Sequence, residues 1–115
     1  MNTDRLRGVF EREDMDGFLA LLDPEITWTW WEPEPCCRNR EEVQRRIEEV
    51  LAEGQWGHPE IVAEVGDHVV IDPHPDPPLG WAPELHHVYT LRRGRIVRIE
   101  DFADRKSALS AVGLE

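Results

Sequence analysis

Apolar residues near the start of the chain recur at helical spacing. Leu6, Val9 and Phe10 predict a first short helix. In EDMDGFLALLDPEI, Asp14 is a typical N-cap, and Asp23-Pro24 is a typical stop for a second helix. The apolar face of that second helix is formed by Met15, Phe18, Leu19 and Leu22. The pattern therefore predicts two short helices at the beginning of the domain.

A strand and a longer helix follow in the pattern. The segment ITWTWWEP is rich in β-branched and aromatic residues and ends in a proline cluster, which is typical of a strand. Its alternation places one set of side chains on the same side: Ile26, Trp28, Trp30 and Glu32. Asn39 with Glu42 forms a capping-box-like start, which predicts a helix until Gly54. Its apolar face consists of Val43, Ile47, Val50 and Leu51.

The second half of the chain has the pattern of two hairpins and a final helix. EIVAEVGDHVVID predicts two strands around Gly66-Asp67, and ELHHVYTLRRGRIVRIEDF predicts two more around Arg93-Gly94. The segment PHPDPPLGWAP between them is too rich in proline for a strand. Asp104 is a predicted N-cap of a short helix that Gly113 ends. Helices followed by strands indicate an α+β fold, with helices covering one face of a curved antiparallel sheet.

Length and charge narrow the class of protein. The 115 residues suit a single domain spanning residues 1–115, and the formal net charge of −11 argues against nucleic acid as a partner. The N-terminus has no apolar signal core, and no apolar run is long enough to span a membrane. We therefore expect a cytoplasmic protein with neither nucleic acid nor membrane as a partner.

Cysteine and histidine spacing gives no sign of a metal site. Cys36 and Cys37 are adjacent, which disfavours a disulfide between them, and we interpret them as reduced thiols. His58, His68 and His74 lack the spacing of metal ligands. We therefore expect neither a metal ion nor another cofactor.

One acidic residue interrupts the apolar face of the last predicted strand. Strict alternation in VRIEDFAD places Asp101 on the same face as Val97 and Ile99. A two-residue turn at Arg93-Gly94 sets His86 opposite Asp101. A three-residue turn ending at Gly94 instead sets Leu85 opposite Asp101 and His87 diagonal to it, and it avoids the positive φ that a type I′ turn demands of Arg93.

A buried acid beside a histidine suits proton transfer, because burial favours the neutral carboxyl and the pair can share one proton. The alternative interpretation is structural: a buried Asp101 satisfied by His86 or by a backbone N–H, without a catalytic role. The sequence leaves both interpretations open. The same holds for the tryptophans, which either line a site for a flat hydrophobic ligand or fill the core and a dimer face.

The segments EREDMDGFLALLDPEITWTWWEP, NREEVQRRIEEVL and HVYTLRRGRIVRIEDFADRKSAL resemble the SnoaL-like branch of the nuclear transport factor 2-like superfamily over nearly the whole chain. The resemblance implies a cone-shaped α+β barrel with a pocket between sheet and helices, often in a homodimer. Members include polyketide cyclases, ketosteroid isomerases and epoxide hydrolases, so the fold alone does not define a reaction.

The resemblance also implies roles for particular residues. Asp101 matches the pocket acid of the last strand, which favours His86 as its neighbour, and Glu32 resembles the acid-Pro step that holds the general base in ketosteroid isomerases. Glu32 is otherwise a solvated acid at a strand end. Leu6 departs from the isomerase pattern, where a first-helix tyrosine stands, and Arg98 points away from the position that the epoxide-hydrolase pattern requires.

The sequence thus favours a cofactor-independent pocket enzyme acting on a small hydrophobic or aromatic carbonyl compound by general acid–base catalysis. The predicted catalytic residues are Asp101, His86 and Glu32, and the predicted ligand-binding residues are Trp28, Trp30, Trp56, Trp81, Val88 and Ile99. Trp31 is the candidate for a dimer face. The alternative is a non-catalytic ligand-binding or dimeric assembly domain of the same fold.

Overall fold

A computed structural model of the protein describes residues 3–12, 14–29, 35–52, 59–72, 86–102 and 104–114. The first elements are helices α1 (Thr3–Glu11) and α2 (Met15–Ala20), strands β1 (Leu22–Thr29) and β2 (Pro35–Cys37), and helix α3 (Arg40–Ala52). They are followed by β3 (Glu60–Val65), β4 (His68–Asp72), β5 (His86–Arg92), β6 (Arg95–Phe102) and helix α4 (Arg105–Ala111). The predicted α+β class is confirmed.

In the described part of the chain the strands form a six-stranded sheet in the order β2-β1-β6-β5-β4-β3. Neighbouring strands are antiparallel except β1 and β6, so the structure adds a parallel pair to the predicted antiparallel arrangement. In that pair Trp28 lies opposite Ile99. The parallel pairing therefore places the tryptophan of β1 beside the strand that carries Asp101.

Side-chain caps begin three of the helices at the predicted residues. Asp14 accepts the backbone N–H of Gly17, and Asp104 accepts that of Ser107. Asn39 accepts the backbone N–H of Glu42 at 3.0 Å. Each cap satisfies a donor that the first helical turn leaves unpaired, which is why these short motifs predicted the helix starts correctly.

The structure differs from the prediction around the first strand. β1 begins at Leu22 rather than Ile26 and includes Pro24, which we had expected to separate the second helix from the strand. Leu22 pairs with Ile96 and the next paired residue is Thr27, so Pro24 lies in the interruption, where no ladder hydrogen bond is needed. The short strand β2, in the segment interpreted as a proline stop, was not predicted.

The two faces of the sheet pack against different helices. We call the side facing α1, α2 and α3 the inner face; its buried residues in β4, β5 and β6 are Val69, Ile71, Tyr89, Leu91, Ile96 and Ile99. The other side, the outer face, buries Val70 and Val88 against Ala108 and Val112 at the C-terminal helix. Because both faces of the sheet are covered here, β4 and β5 are buried along most of their length. Among the described helices, none has the length and apolar character to cross a membrane.

Candidate functional site

The turn of the last hairpin has two residues, which is one of the two lengths that the sequence left open. Arg92 lies opposite Arg95, with Arg93 at φ 52° and Gly94 at φ 80° between them. Positive φ at both positions is what a type I′ turn requires. Arg93 therefore adopts a backbone conformation that residues with a Cβ rarely take.

A β-bulge then shifts the register by one residue. Leu91 lies opposite Ile96, but Thr90 lies opposite Arg98, which leaves Val97 as an extra residue in β6. The bulge allows Ile96 and Ile99 to be buried on the same face although they are three residues apart. The strict alternation predicted for this strand is therefore interrupted between Ile96 and Arg98.

The same bulge decides which histidine faces the acid. His87 lies opposite Asp101, while His86 lies opposite Phe102. The expectation that His86 faces Asp101 is wrong, because a one-residue shift turns every side chain of a strand to the other face. The register shift does not come from a three-residue turn. The turn has two residues, and the bulge causes the shift.

Asp101, His87 and Trp28 form a hydrogen-bonded cluster, which we call the Asp101 cluster. The Oδ1 atom of Asp101 lies 2.6 Å from Nδ1 of His87 and accepts a hydrogen bond from Nε1 of Trp28 at 2.8 Å. Asp101 is 7% exposed and His87 is 9% exposed, so little water reaches either group. The Trp28 ring meets the His87 ring edge-on, with centroids 6.0 Å apart and an interplanar angle of 82°.

Hydrogen-bond chemistry assigns the protons of this cluster. The indole N–H of Trp28 can only donate, so Oδ1 of Asp101 is an acceptor. We assign the short contact with His87 as an Nδ1–H donation to the same oxygen, which fits an ionised carboxylate. The second oxygen, Oδ2, has no hydrogen bond to another residue within the described ranges. It is therefore the oxygen with lone pairs available for a proton.

Two more aromatic residues lie beside the cluster on the inner face. The Tyr89 ring lies 6.0 Å from the His87 ring and 6.2 Å from the Phe18 ring of α2. Sequence reasoning missed Tyr89 as a site residue. The signal was present, because Tyr89 is two residues after His87 in the same strand and therefore points to the same side.

His86 lies in a separate environment on the outer face. Its Nε2 atom is 3.5 Å from Oδ2 of Asp72, and its buried Nδ1 atom has no hydrogen-bond partner among the residues described. Val88 is buried on the same face with the residues of α4. The fold therefore contradicts the assignment of Val88 to the ligand-binding set with Asp101. The one-residue shift that moved His86 away from Asp101 also turned Val88 to the outer face.

The other predicted site residues divide into those placed by the structure and those outside the described ranges. Ile99 lies on the inner face opposite Tyr89, as expected for a residue beside Asp101. Leu6 is buried in the inner-face cluster, and Arg98 pairs with Glu100 at 3.5 Å. The positions that lie outside the described residues are Trp30, Trp31, Glu32, Trp56, His58, His74 and Trp81.

Cys37 and His68 lie on strands that neighbour the residues of the Asp101 cluster. Cys37 is buried on β2, opposite Trp28 in the strand register. Nδ1 of His68 lies 3.0 Å from the Thr90 hydroxyl. Over the described residues, no three His, Cys, Asp or Glu side chains are grouped so as to hold a metal ion.

Solved structures share this fold at low sequence identity. An NTF2-like protein of unknown function from Burkholderia pseudomallei is 21% identical, with a TM-score of 0.59 and 97% of each chain covered. A Catenulispora acidiphila protein with a ketosteroid isomerase-like fold, solved with trimethylamine, is 16% identical, with a TM-score of 0.57 over 98% of this chain and 92% of its own. A candidate SnoaL-like polyketide cyclase from Jannaschia sp. CCS1 is 18% identical, with a TM-score of 0.58 over 99% and 92%.

Family membership follows from the sequence match together with this shared fold. No curated protein sequence matches the chain significantly. Residues 4–99 match the profile of the SnoaL-like domain, a range that runs from Asp4 in α1 to Ile99 in β6 and includes the strand that carries Trp28. The chain belongs to the SnoaL-like domain family.

Proposed function

We propose that the protein is a cofactor-independent enzyme that moves a proton on a small hydrophobic carbonyl compound, with Asp101 as the general base and acid. The observation that carries the proposal is the pair of donors, from His87 and Trp28, on a single oxygen of Asp101. A carboxylate held in this way keeps a fixed orientation and presents its second oxygen.

The proposed step is an enolisation. A C–H bond beside the substrate carbonyl breaks, its proton passes to Oδ2 of Asp101, and the electron pair becomes the C=C bond of an enolate. The negative charge then rests on the former carbonyl oxygen. Asp101 returns its proton at the same or another carbon, which gives an isomerisation or the protonation step of a cyclisation. His87 and Trp28 keep their hydrogen bonds to Oδ1 throughout.

The surroundings of Asp101 support an apolar substrate. Trp28, Phe18 and Ile99 lie on or pack against the inner-face cluster, and His87 is its polar neighbour. An apolar wall with few polar groups is the usual composition of a site for a hydrophobic small molecule. The polyketide cyclase and ketosteroid isomerase-like names among proteins of this fold are consistent with a carbonyl-bearing ligand.

Hydrogen–deuterium exchange tests the proposal without knowledge of the physiological substrate. The protein is incubated in D2O with bicyclic ketones such as 1-tetralone, and loss of the C2 proton signal is followed by ¹H NMR against a buffer blank. Asp101→Asn keeps the size of the side chain but removes the base. Glu100→Gln is the matched control, because Glu100 neighbours Asp101 in β6 and pairs with Arg98 instead.

We expect wild type and Glu100→Gln to accelerate exchange equally, and Asp101→Asn to lose about 100-fold or more of that acceleration, the usual contribution of a positioned base. Equal exchange by Asp101→Asn and wild type contradicts the assignment of Asp101. Binding of the ketones without any accelerated exchange supports the alternative function, a non-catalytic ligand-binding domain.

A further inference from the structure

The turn end of the last hairpin concentrates positive charge on an acidic chain. The sequence has 13 Lys and Arg residues against 24 Asp and Glu, yet four arginines fall within β5, β6 and the turn between them. We call these four the arginine row; they are Arg92, Arg93, Arg95 and Arg98, and all are exposed. Arg92 lies directly opposite Arg95, where like charges weaken a strand pair. The stability of the hairpin therefore does not account for these charges.

The backbone of the turn leads to the same conclusion. Arg93 has φ 52°, a conformation in which asparagine or glycine is favoured. A residue that keeps an unfavourable backbone conformation lowers stability, and such residues are concentrated at functional sites. Arg93 thus holds a guanidinium group at the tip of the hairpin although another residue would suit the turn better.

Most of the arginine row is not neutralised by the chain itself. Arg98 pairs with Glu100 at 3.5 Å. The other three guanidinium groups form no ion pair within the described ranges. An acid lies in the adjacent β3–β4 turn, where the backbone carbonyl of Asp67 accepts the N–H of Leu91 at 2.8 Å. Its carboxylate is nevertheless not paired with any of the three, so their positive charge is available to a partner.

The strand register places the row along one end of the outer face. Ile96 is buried on the inner face, so its neighbour Arg95 and the opposite residue Arg92 point to the outer face. Arg98 does so as well, because it directly precedes Ile99, which is buried on the inner face. At about 3.3 Å per strand residue, the row extends over roughly 10 Å. It is an extended line of cations rather than a single convergent pocket.

We propose that the arginine row is a docking surface for an acidic helix of a partner protein. Carboxylates four residues apart on a helix lie about 5–6 Å from each other, and a step of seven residues is about 10.5 Å. Directly opposite strand residues such as Arg92 and Arg95 are about 5.5 Å apart, so both spacings occur in the row. Guanidinium groups bind carboxylates through paired hydrogen bonds, which gives such a contact geometric selectivity.

The charges of the rest of the chain favour this partner over others. A net charge of −11 repels nucleic acid and anionic membranes, which extend far beyond the row, more than it repels a short helix. A second copy of the chain offers a poorer match, because the exposed residues of α3 mix Glu41, Glu48 and Glu49 with Arg45. The proposed surface is also distinct from the Asp101 cluster, and it does not depend on the catalytic proposal.

Fluorescence anisotropy tests the surface with a defined probe. The probe is a fluorescein-labelled, alanine-based helical peptide with glutamate at every fourth position, and the matched peptide has glutamine instead. The variant Arg92→Gln with Arg95→Gln removes two charges from the row. The control variant, Arg105→Gln with Lys106→Gln, removes the same charge from exposed positions of α4.

We expect wild type and the α4 control to bind the glutamate peptide equally and the glutamine peptide not at all. Arg92→Gln with Arg95→Gln should weaken binding about fivefold or more, the value of two exposed charge pairs. Arg93→Asn should also weaken binding while its melting temperature stays equal or rises, which separates the lost charge from any loss of folding. Arg93→Lys should bind almost as wild type does.

Four outcomes would each overturn the proposal. The first is equal weakening by the α4 control, which assigns the effect to net charge, and the second is equal binding of the glutamine peptide or no binding of the glutamate peptide. The third is displacement of the peptide by tripolyphosphate at a lower concentration than by unlabelled peptide, which identifies a phosphate ligand. The fourth is self-association in analytical ultracentrifugation that Arg92→Gln with Arg95→Gln removes, which identifies a second copy of the chain as the partner.

Discussion

His87 lies directly opposite Asp101 in the β5–β6 ladder, with Nδ1 of the imidazole 2.6 Å from Oδ1 of the carboxylate. The pair exists because Val97 is an extra residue in β6, which moves the register by one between the turn and the acid. Without the bulge His86 would occupy this position. The two adjacent histidines therefore face opposite sides of the sheet. His87 lies beside Asp101, and His86 lies beside Asp72.

The first prediction distinguishes these two histidines. His87→Leu removes a donor to Asp101 and is expected to slow ketone exchange about 10-fold to 100-fold, less than Asp101→Asn, because the base itself remains. His86→Leu is the matched control and is expected to leave the exchange rate unchanged, since His86 lies on the outer face with Asp72. Initial exchange rates in D2O for the three variants provide the measurement. A greater loss in His87→Leu than in Asp101→Asn assigns the base to His87 instead.

The second prediction concerns the indole donor. Trp28→Phe keeps an aromatic ring but removes the N–H that donates to Asp101. Because hydrogen bonds to charged groups are among the stronger ones, we expect the free energy of unfolding to fall by about 1.5–3 kcal/mol. Urea unfolding followed by circular dichroism measures the change, since the loss of Trp28 itself alters fluorescence. His87→Leu combined with Trp28→Phe should lower the free energy of unfolding by less than the sum of the single changes, because both donors share one oxygen.

Local signals predicted the parts of this fold that local chemistry determines. The caps at Asp14, Asn39 and Asp104 satisfy the first turns of their helices, so each helix start followed from a few adjacent residues. Gly66, at φ 59°, allowed the β3–β4 turn to be located in the same way.

The parts that were missed depend on distant contacts. The bulge at Val97 is favoured because Ile96 and Ile99 both pack against the helices, which strict alternation does not permit. The spacing of those two isoleucines was a visible sign of it. The parallel β1–β6 pair joins residues far apart in the chain, and no local pattern defines it. The strand β2 pairs with β1 close by in the chain, but its proline-containing segment was interpreted as a stop. Asp101 was found by its conflict with its neighbours, whereas Trp28 became its partner only through the parallel pair.

The third prediction uses the turn that joins β5 to β6. Arg93 has φ 52°, a conformation in which a residue with a Cβ costs roughly 1–2 kcal/mol and which asparagine tolerates better. Arg93→Asn creates the favoured Asn-Gly turn and is expected to raise the free energy of unfolding by about 0.5–1 kcal/mol. Arg93→Lys keeps both the charge and the strain, so it should bring no gain. Chemical denaturation of the three proteins compares them, and a gain shared by Arg93→Lys would show that the backbone conformation is not the cause.

The fourth prediction follows from the raised pKa of Tyr89. Its ordinary pKa is 10.0, and burial, followed by the charge of Asp101, raises the value in the folded state. The unfolded chain therefore releases the phenolic proton at a lower pH than the folded protein does. Above the ordinary pKa the unfolded state binds fewer protons, so the free energy of unfolding falls as the pH rises. The stabilising contribution is fully present below pH 10.0 and is lost as the pH increases towards the folded-state pKa.

Because Tyr89 is the only tyrosine, its ionisation can be measured directly by absorbance at 295 nm. We expect no phenolate signal from the folded protein at pH 10.0, the ordinary midpoint, and a rise only together with the loss of the circular dichroism signal. Tyr89→Phe lacks the absorbance change and should lose less stability over the same alkaline range. A reversible phenolate signal centred near the ordinary value in folded protein would mean that water reaches the hydroxyl freely.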